Sequence, residues 1–450
     1  MKVVLLACLL LVACKHSSQP EWQDAIQKFN EAEKLQNENF KNLRFELSNQ
    51  KVDTFATVKF VLRDQFGREW LFKYGRFQVD GAIAQWRLYH FLGLPTPEIH
   101  KITLNINGKP VPGTAQIFQK NIGTFYDFTF TELPKNALFD VGRNFIMGWA
   151  SLNYHVHPKQ FIVIGSESNK PVGIERIDNS VEWYLLGQDE LRYDYSTPWY
   201  APGGVGYRFY WRSYFRKDYD LNLTALHQFA RAIESIPDDF FLSFFKPAKA
   251  GDFTNFSNVT FDLIQENAPD LAKAADSQNF LSRLVERKNH LGEDFEKFFK
   301  KMASIRGDQF NADHSDLSEF IKLRAQSFDR EIFELKNESL RLQSQNIEKQ
   351  KNFDMITCIP AHEILFDTYV FSDFDTREQR KNKLQIALDQ LKKLYQESEN
   401  ENEKKAIRAD IEQIEFSLDK KIYNISQYRY RLFGYNADKL MKLLFTRPKK

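Results

Sequence analysis

The chain has 450 residues, 42% of them hydrophobic, enough for two or three domains with sizeable cores. With 62 Lys and Arg against 60 Asp and Glu, the formal charge is only +2, which excludes a basic, nucleic-acid-binding surface as the dominant feature. Three cysteines leave no disulfide framework and no cysteine metal site, while 41 Phe against 5 Met point to a large aromatic core.

At the N-terminus, Lys2 precedes an apolar run from Val3 to Val12 that closes on Ala13 and Cys14. The run is too short to span a bilayer and reads as a secretory signal over residues 1–13. Leu11-Val12-Ala13-Cys14 resembles the lipobox of bacterial lipoproteins. That resemblance implies cleavage before Cys14, lipidation of its thiol and acylation of its new amine, two signals that together anchor the protein to a membrane. Lys15 follows rather than Asp, which by the same resemblance favours the outer membrane of the cell envelope. An ordinary signal peptide with a chance cysteine is the competing reading. No second apolar stretch reaches membrane-spanning length, so a soluble body is expected.

Residues 14–42 read as a tether and a helix, with Trp22, Ile26, Phe29 and Leu35 at helical spacing. Residues 43–125 are strand-rich. Runs at 57–63 and 68–74 flank Asp64-Gln65-Phe66-Gly67, a hairpin turn. An amphipathic helix from Gly81 to Leu92 is stopped by Gly93-Leu94-Pro95. Strands at 102–106 and 114–118 are joined across Asn107-Gly108. Residues 126–306 are mainly helical, with short strands near 161–164 and 172–177 and one long helix over 280–305. Beyond residue 307 come heptad runs: Ile321 to Leu342, Leu384 to Tyr395, and Ile407 to Leu418. They predict either an antiparallel helical hairpin packed on the main body, or a coiled-coil arm that binds a protein partner.

Three segments carry candidate chemistry: Trp70-Leu71-Phe72-Lys73 on a strand, Asn153-Tyr154-His155-Val156-His157-Pro158-Lys159-Gln160, and Ile177-Asp178-Asn179 after a strand. With the order of small sheet lobe, helix, sheet and larger helical lobe over 45–305, they resemble the divergent protein-kinase-like branch. That branch holds HipA-type kinases, phosphatidylinositol 3/4-kinase-like proteins and the spore-coat CotH kinases. The resemblance implies an α+β, bilobal protein-kinase-like fold. It puts Lys73 on nucleotide phosphates, Asn153 and His157 in the catalytic loop, and Gln160 and Asp178 on a metal. Three positions depart from the pattern. Ala82 stands where a helix glutamate would pair with Lys73, with Asp80 the nearest acid; His155 replaces the catalytic aspartate; Gln160 replaces the metal-binding asparagine. Histidine accepts protons near neutral pH but is a poor magnesium ligand.

Other uses of these residues stay open. His155 and His157 with a carboxylate form a weak transition-metal pattern. Asp178 also suits a turn. Pro202-Gly203-Gly204-Val205-Gly206 lacks the Lys-Ser/Thr of a phosphate loop. The stretch Tyr207–Lys217 interleaves aromatics with cations and is either a polyanion-binding surface or a core segment with snorkelling arginines. The expectation is a lipid-anchored protein whose kinase-like domain has a degenerate nucleotide site and acts in binding or scaffolding, since export removes it from ATP. One alternative is a phosphotransferase using Mg-ATP, with His155 as base, Lys73 on phosphate and Asp178 on magnesium. Another is an envelope metalloenzyme built on His155 and His157.

Overall fold

The computed structural model describes residues 22–48, 59–74, 76–106, 109–151, 158–177, 191, 207–245, 277–344, 354–355, 377–399 and 401–419. Cys14 and its neighbours lie outside them, as do Asn107-Gly108 and 202–206. Among the described residues no helix is long and apolar enough to cross a membrane.

Helix α1 (Gln23–Lys41) leads into five strands: β1 (Phe45–Leu47), β2 (Lys59–Asp64), β3 (Glu69–Tyr74), β4 (Ile99–Ile106) and β5 (Lys109–Ile117). They pair antiparallel in the order β1-β2-β3-β5-β4. The β2–β3 turn is closed by Asp64, whose buried carboxylate accepts from the backbone N–H groups of Phe66 (2.9 Å) and Arg68 (3.0 Å), from Arg68 Nε (2.6 Å) and from Trp70 Nε1 (3.0 Å). Gly67 supplies the left-handed residue this turn needs, at φ +79°. Strand residues alternate between faces. Leu62, Trp70, Phe72 and Ala115 pack on one face beneath Phe40 of α1. Val61, Leu71, Lys73, Thr114 and Gln116 take the alternate positions.

Between β3 and β4 runs α2 (Arg76–Phe91). It begins five residues before Gly81, where the sequence reading started it. Val79, Gly81, Ala84 and Leu88 are all buried, so the glycine sits on the packed face of a helix rather than at its start. The predicted stop is observed. Gly93 is left-handed at φ +68°; its N–H reaches His90 O at 3.0 Å and that of Leu94 reaches Tyr89 O at 2.9 Å, the paired bonds of a Schellman closure.

The second lobe starts with α3 (Lys135–Ala150), which is buried along most of its length. A two-stranded hairpin follows, β6 (Phe161–Gly165) against β7 (Pro171–Arg176). Then come α4 (Arg208–Phe215), α5 (Leu223–Glu234), α6 (Asp238–Ser243), α7 (Ser277–Lys288) and α8 (Leu291–Arg306). The aromatic–cation stretch is resolved in favour of core. Tyr207, Tyr210, Trp211 and Tyr214 are buried, with Trp211 edge-on to Phe145 and Phe298 at 5.3 and 5.2 Å. Arg212 and Arg216 point outward, Arg216 onto Asp218.

The single long helix expected over 280–305 is two helices, broken at Asn289-His290. The buried Lys288 ammonium is committed to Glu234 O (2.8 Å), Ile236 O (2.6 Å) and Asp238 Oδ1 (2.8 Å). Glu293 and Asp294 in the first turn of α8 suit a new helix N-terminus.

The heptad runs have separate partners. The first is α9 (Ser318–Ser344), which packs along α1: Ile332 and Leu335 meet Ala32 and Leu35, and Phe328 meets Phe29 at 5.4 Å. The other two, α10 (Arg377–Glu397) and α11 (Glu401–Asp419), share a cluster of Leu384, Leu388, Leu391, Ile407 and Ile414. Between these groups the short β8 (Asp354–Met355) extends the main sheet, pairing parallel with Asn105 and Ile106 of β4.

Candidate functional site

Lys73 lies in the penultimate position of β3, half-buried, in register with Thr114 of β5 and Lys59 of β2. Thr114 is in turn opposite Lys101 of β4. Lys73 and Lys101 thus flank Thr114 in one cross-strand row.

Of the other predicted positions, Gln160 lies at the β6–β7 hairpin. Gln160 ends a short 3-10 turn (Pro158–Gln160) and is buried. Its carbonyl accepts from Ile177 N at 2.8 Å, one step beyond the Phe161–Arg176 pair. The hairpin therefore brings Gln160 beside Ile177, the residue before Asp178 in sequence. Asn153, His155, His157 and Asp178 themselves lie outside the described residues.

Helix α2 connects the two lobes. Gln85 and Ser151 bond twice: Ser151 Oγ donates to Gln85 Oε1 at 3.2 Å, and Gln85 Nε2 donates to Ser151 O at 3.4 Å. Ser151 is two residues before Asn153. One turn along α2, Tyr89 OH accepts from Arg176 Nη1 at 2.6 Å in a fully buried contact. After the helix, Pro95 O accepts from Arg176 N at 3.3 Å and Thr96 Oγ1 donates to Arg176 O at 3.3 Å. The end of β7 is thereby fixed to the sheet lobe through both side chain and backbone. The α2 sequence contains a single acid, Asp80, and none in its first turn; position 82 is an alanine inside the helix.

The sequence reading missed Glu175 and Arg176. Glu175 Oε2 is buried and makes no hydrogen bond among the described residues. Burial alone pushes its carboxyl up to about 7. Arg176 is 0% exposed and its guanidinium lies 5.7 Å from the Tyr89 ring. The signal was present in Val172-Gly173-Ile174-Glu175-Arg176-Ile177, where two adjacent charges interrupt an apolar strand and so place at least one of them on the buried face. Among the described residues no group of three His, Cys, Asp or Glu side chains is close enough to hold a metal ion; both members of the H-x-H pair lie outside them.

No protein-family model matches the chain, and no curated protein matches it. Among solved structures, a MAP kinase from Leishmania major superposes with a TM-score of 0.22 and 11% identity, covering 67% of this chain and 98% of that one. A superposition of that quality does not establish a shared fold.

Proposed function

We propose that this chain is an exported, lipid-anchored protein whose kinase-like domain acts at the cell envelope by binding or scaffolding rather than by phosphoryl transfer. Support for the kinase-like part comes from element order. Three antiparallel strands, the third bearing Lys73, are followed by a helix and two further strands, and then by a buried helix and a hairpin. That hairpin holds Gln160 beside Ile177. A strand lysine in the sheet lobe and a metal-binding aspartate after the hairpin are the positions phosphoryl transfer uses.

The observation that carries the binding reading is α2. A kinase needs a helix glutamate to hold its strand lysine, and α2 offers only Asp80. His155 stands where the family has its catalytic carboxylate, and Gln160 keeps an amide oxygen but is one methylene longer than the metal-binding asparagine it replaces. Anchoring rests on the Leu11–Cys14 lipobox pattern, and export separates the domain from cellular ATP. The C-terminal helices α10 and α11 are the surface we assign to a protein partner.

Transfer of the γ-phosphate of labelled ATP to the chain or to added peptide tests this reading. The expected result is no transfer above that of Asp178→Ala. Transfer lost in both His155→Ala and Asp178→Ala would instead make it a phosphotransferase. Anchoring is tested by fractionation: Cys14→Ala should move the protein from the membrane to the soluble fraction, and unchanged membrane attachment would remove the lipidation claim.

A further inference from the structure

Helix α9 makes polar contacts with three separate parts of the sheet lobe. Along its inner face it joins α1: Lys28 Nζ meets Asp329 at 2.8 Å, Lys336 Nζ meets Glu31 at 2.8 Å, and Asn39 Nδ2 donates to Leu335 O at 2.9 Å. Near its start, Arg324 reaches the end of α2, where Nε donates to Phe91 O at 2.8 Å and Nη2 to His90 O at 2.7 Å. These are carbonyls of the last turn of α2, which have no partner within the helix and carry the negative end of its dipole. Burial pushes the guanidinium down to about 10, still protonated at neutral pH. Glu331, two turns on, bonds His90 Nε2 at 2.9 Å, and Phe328 stacks on Phe91 at 6.0 Å. Near its far end, Glu338 pairs with Arg68 at 2.8 Å and Arg341 lies 4.6 Å from the Phe66 ring, both on the β2–β3 turn.

The fit at Arg324 is close. A Cβ on Gly93 would sit 2.6 Å from Arg324 Nη1, and Gly93 also has the left-handed φ that favours glycine. The Gly93 position therefore admits both the helix closure and the arginine. On its other side α2 is bonded to Ser151 and, through Tyr89, to Arg176.

We propose that α9 is a built-in strap that fixes the position of α2, so that holding or releasing it sets the order of the β6–β7 hairpin that carries Gln160. The path is continuous: Arg324 and Glu331 to His90 and Phe91, along α2 to Tyr89, and from Tyr89 to Arg176. The chain after α9 is paired with the sheet again at β8, on the edge of β4. This coupling needs no nucleotide and holds whether or not the site binds one.

Amide hydrogen exchange on the full chain tests the strap, using Arg324→Ala and the milder Glu331→Gln. Loss of the Arg324 hydrogen bonds should raise exchange about tenfold or more in residues 84–94 of α2, the scale of one charge-assisted bond. It should raise exchange in the same sense in residues 161–176, while α5 and α8 keep wild-type rates. Glu331→Gln should give the same pattern at smaller amplitude, and Lys336→Ala, which touches only α1, should leave the hairpin unchanged. An increase confined to α9 and α2 with the hairpin unchanged would overturn the proposal. So would a uniform increase across α5 and α8 in both Arg324→Ala and Glu331→Gln.

Discussion

Glu175 is the residue where burial has the clearest chemical consequence. Its carboxyl is raised from the ordinary 4.5 to about 7, with burial as the cause, so the folded state holds a proton that the unfolded state releases earlier. Between those two values the unfolded state binds fewer protons, and stability falls as pH rises; above about 7 the loss is complete and constant. Glutamine keeps the shape without the charge. Glu175→Gln should therefore melt close to wild type near pH 4.5 and above it at pH 8, by at most about 3 kcal/mol at one pKa unit per 1.36 kcal/mol. Melting curves that stay parallel across that range would show that Glu175 is solvated in the folded protein. Two adjacent charges within a short apolar strand were readable as an anomaly. Which one turned inward was not, because that depends on register with β6.

At the scale of elements, the aromatic core joins α1, α2, α6 and α9. Phe29 of α1 is fully buried and has its ring 5.3 Å from Phe91, 6.2 Å from Phe240 and 5.4 Å from Phe328. Phe29→Ala should cost about 3–5 kcal/mol, the usual price of emptying a buried phenylalanine site, as measured by denaturant midpoint at unchanged slope. A loss below about 1 kcal/mol would mean that the four helices do not share that contact.

Local chemistry made several elements legible. The Asp64–Gly67 turn and the Gly93 stop follow from the backbone freedom of glycine and the acceptor on Asp64, and both appear where the sequence places them. Long-range choices were not legible. A heptad run specifies a face but not its partner, so nothing in Ile321–Leu342 points to α1, some three hundred residues earlier. The break at Asn289-His290 depends on Lys288 finding carbonyls around residues 234–236, which local periodicity does not encode. Gly81 reads as a helix boundary, yet it is buried inside α2.

For the whole molecule, the two lobes are joined through α2 and the turn after it, with Arg176 bonded to both. Of the candidate site, Lys73 on its strand and Gln160 at the hairpin lie among the described residues, while Asn153, His155, His157 and Asp178 lie outside them. The sequence reading put Lys73 on a strand, and it lies in β3; its place on nucleotide phosphates is what the resemblance of Trp70–Lys73 to the kinase-like branch implies. It did not anticipate the bonds between Gln85 and Ser151 or between Tyr89 and Arg176, which join residues far apart in sequence. A ligand that binds only the folded state at a hundredfold excess over its dissociation constant stabilises it by about 2.7 kcal/mol. Thermal unfolding of the full chain titrated with Mg-ATP measures this directly. The binding-and-scaffolding account predicts no saturable rise in melting temperature; a saturable rise that Asp178→Ala abolishes would contradict it and establish a working nucleotide site.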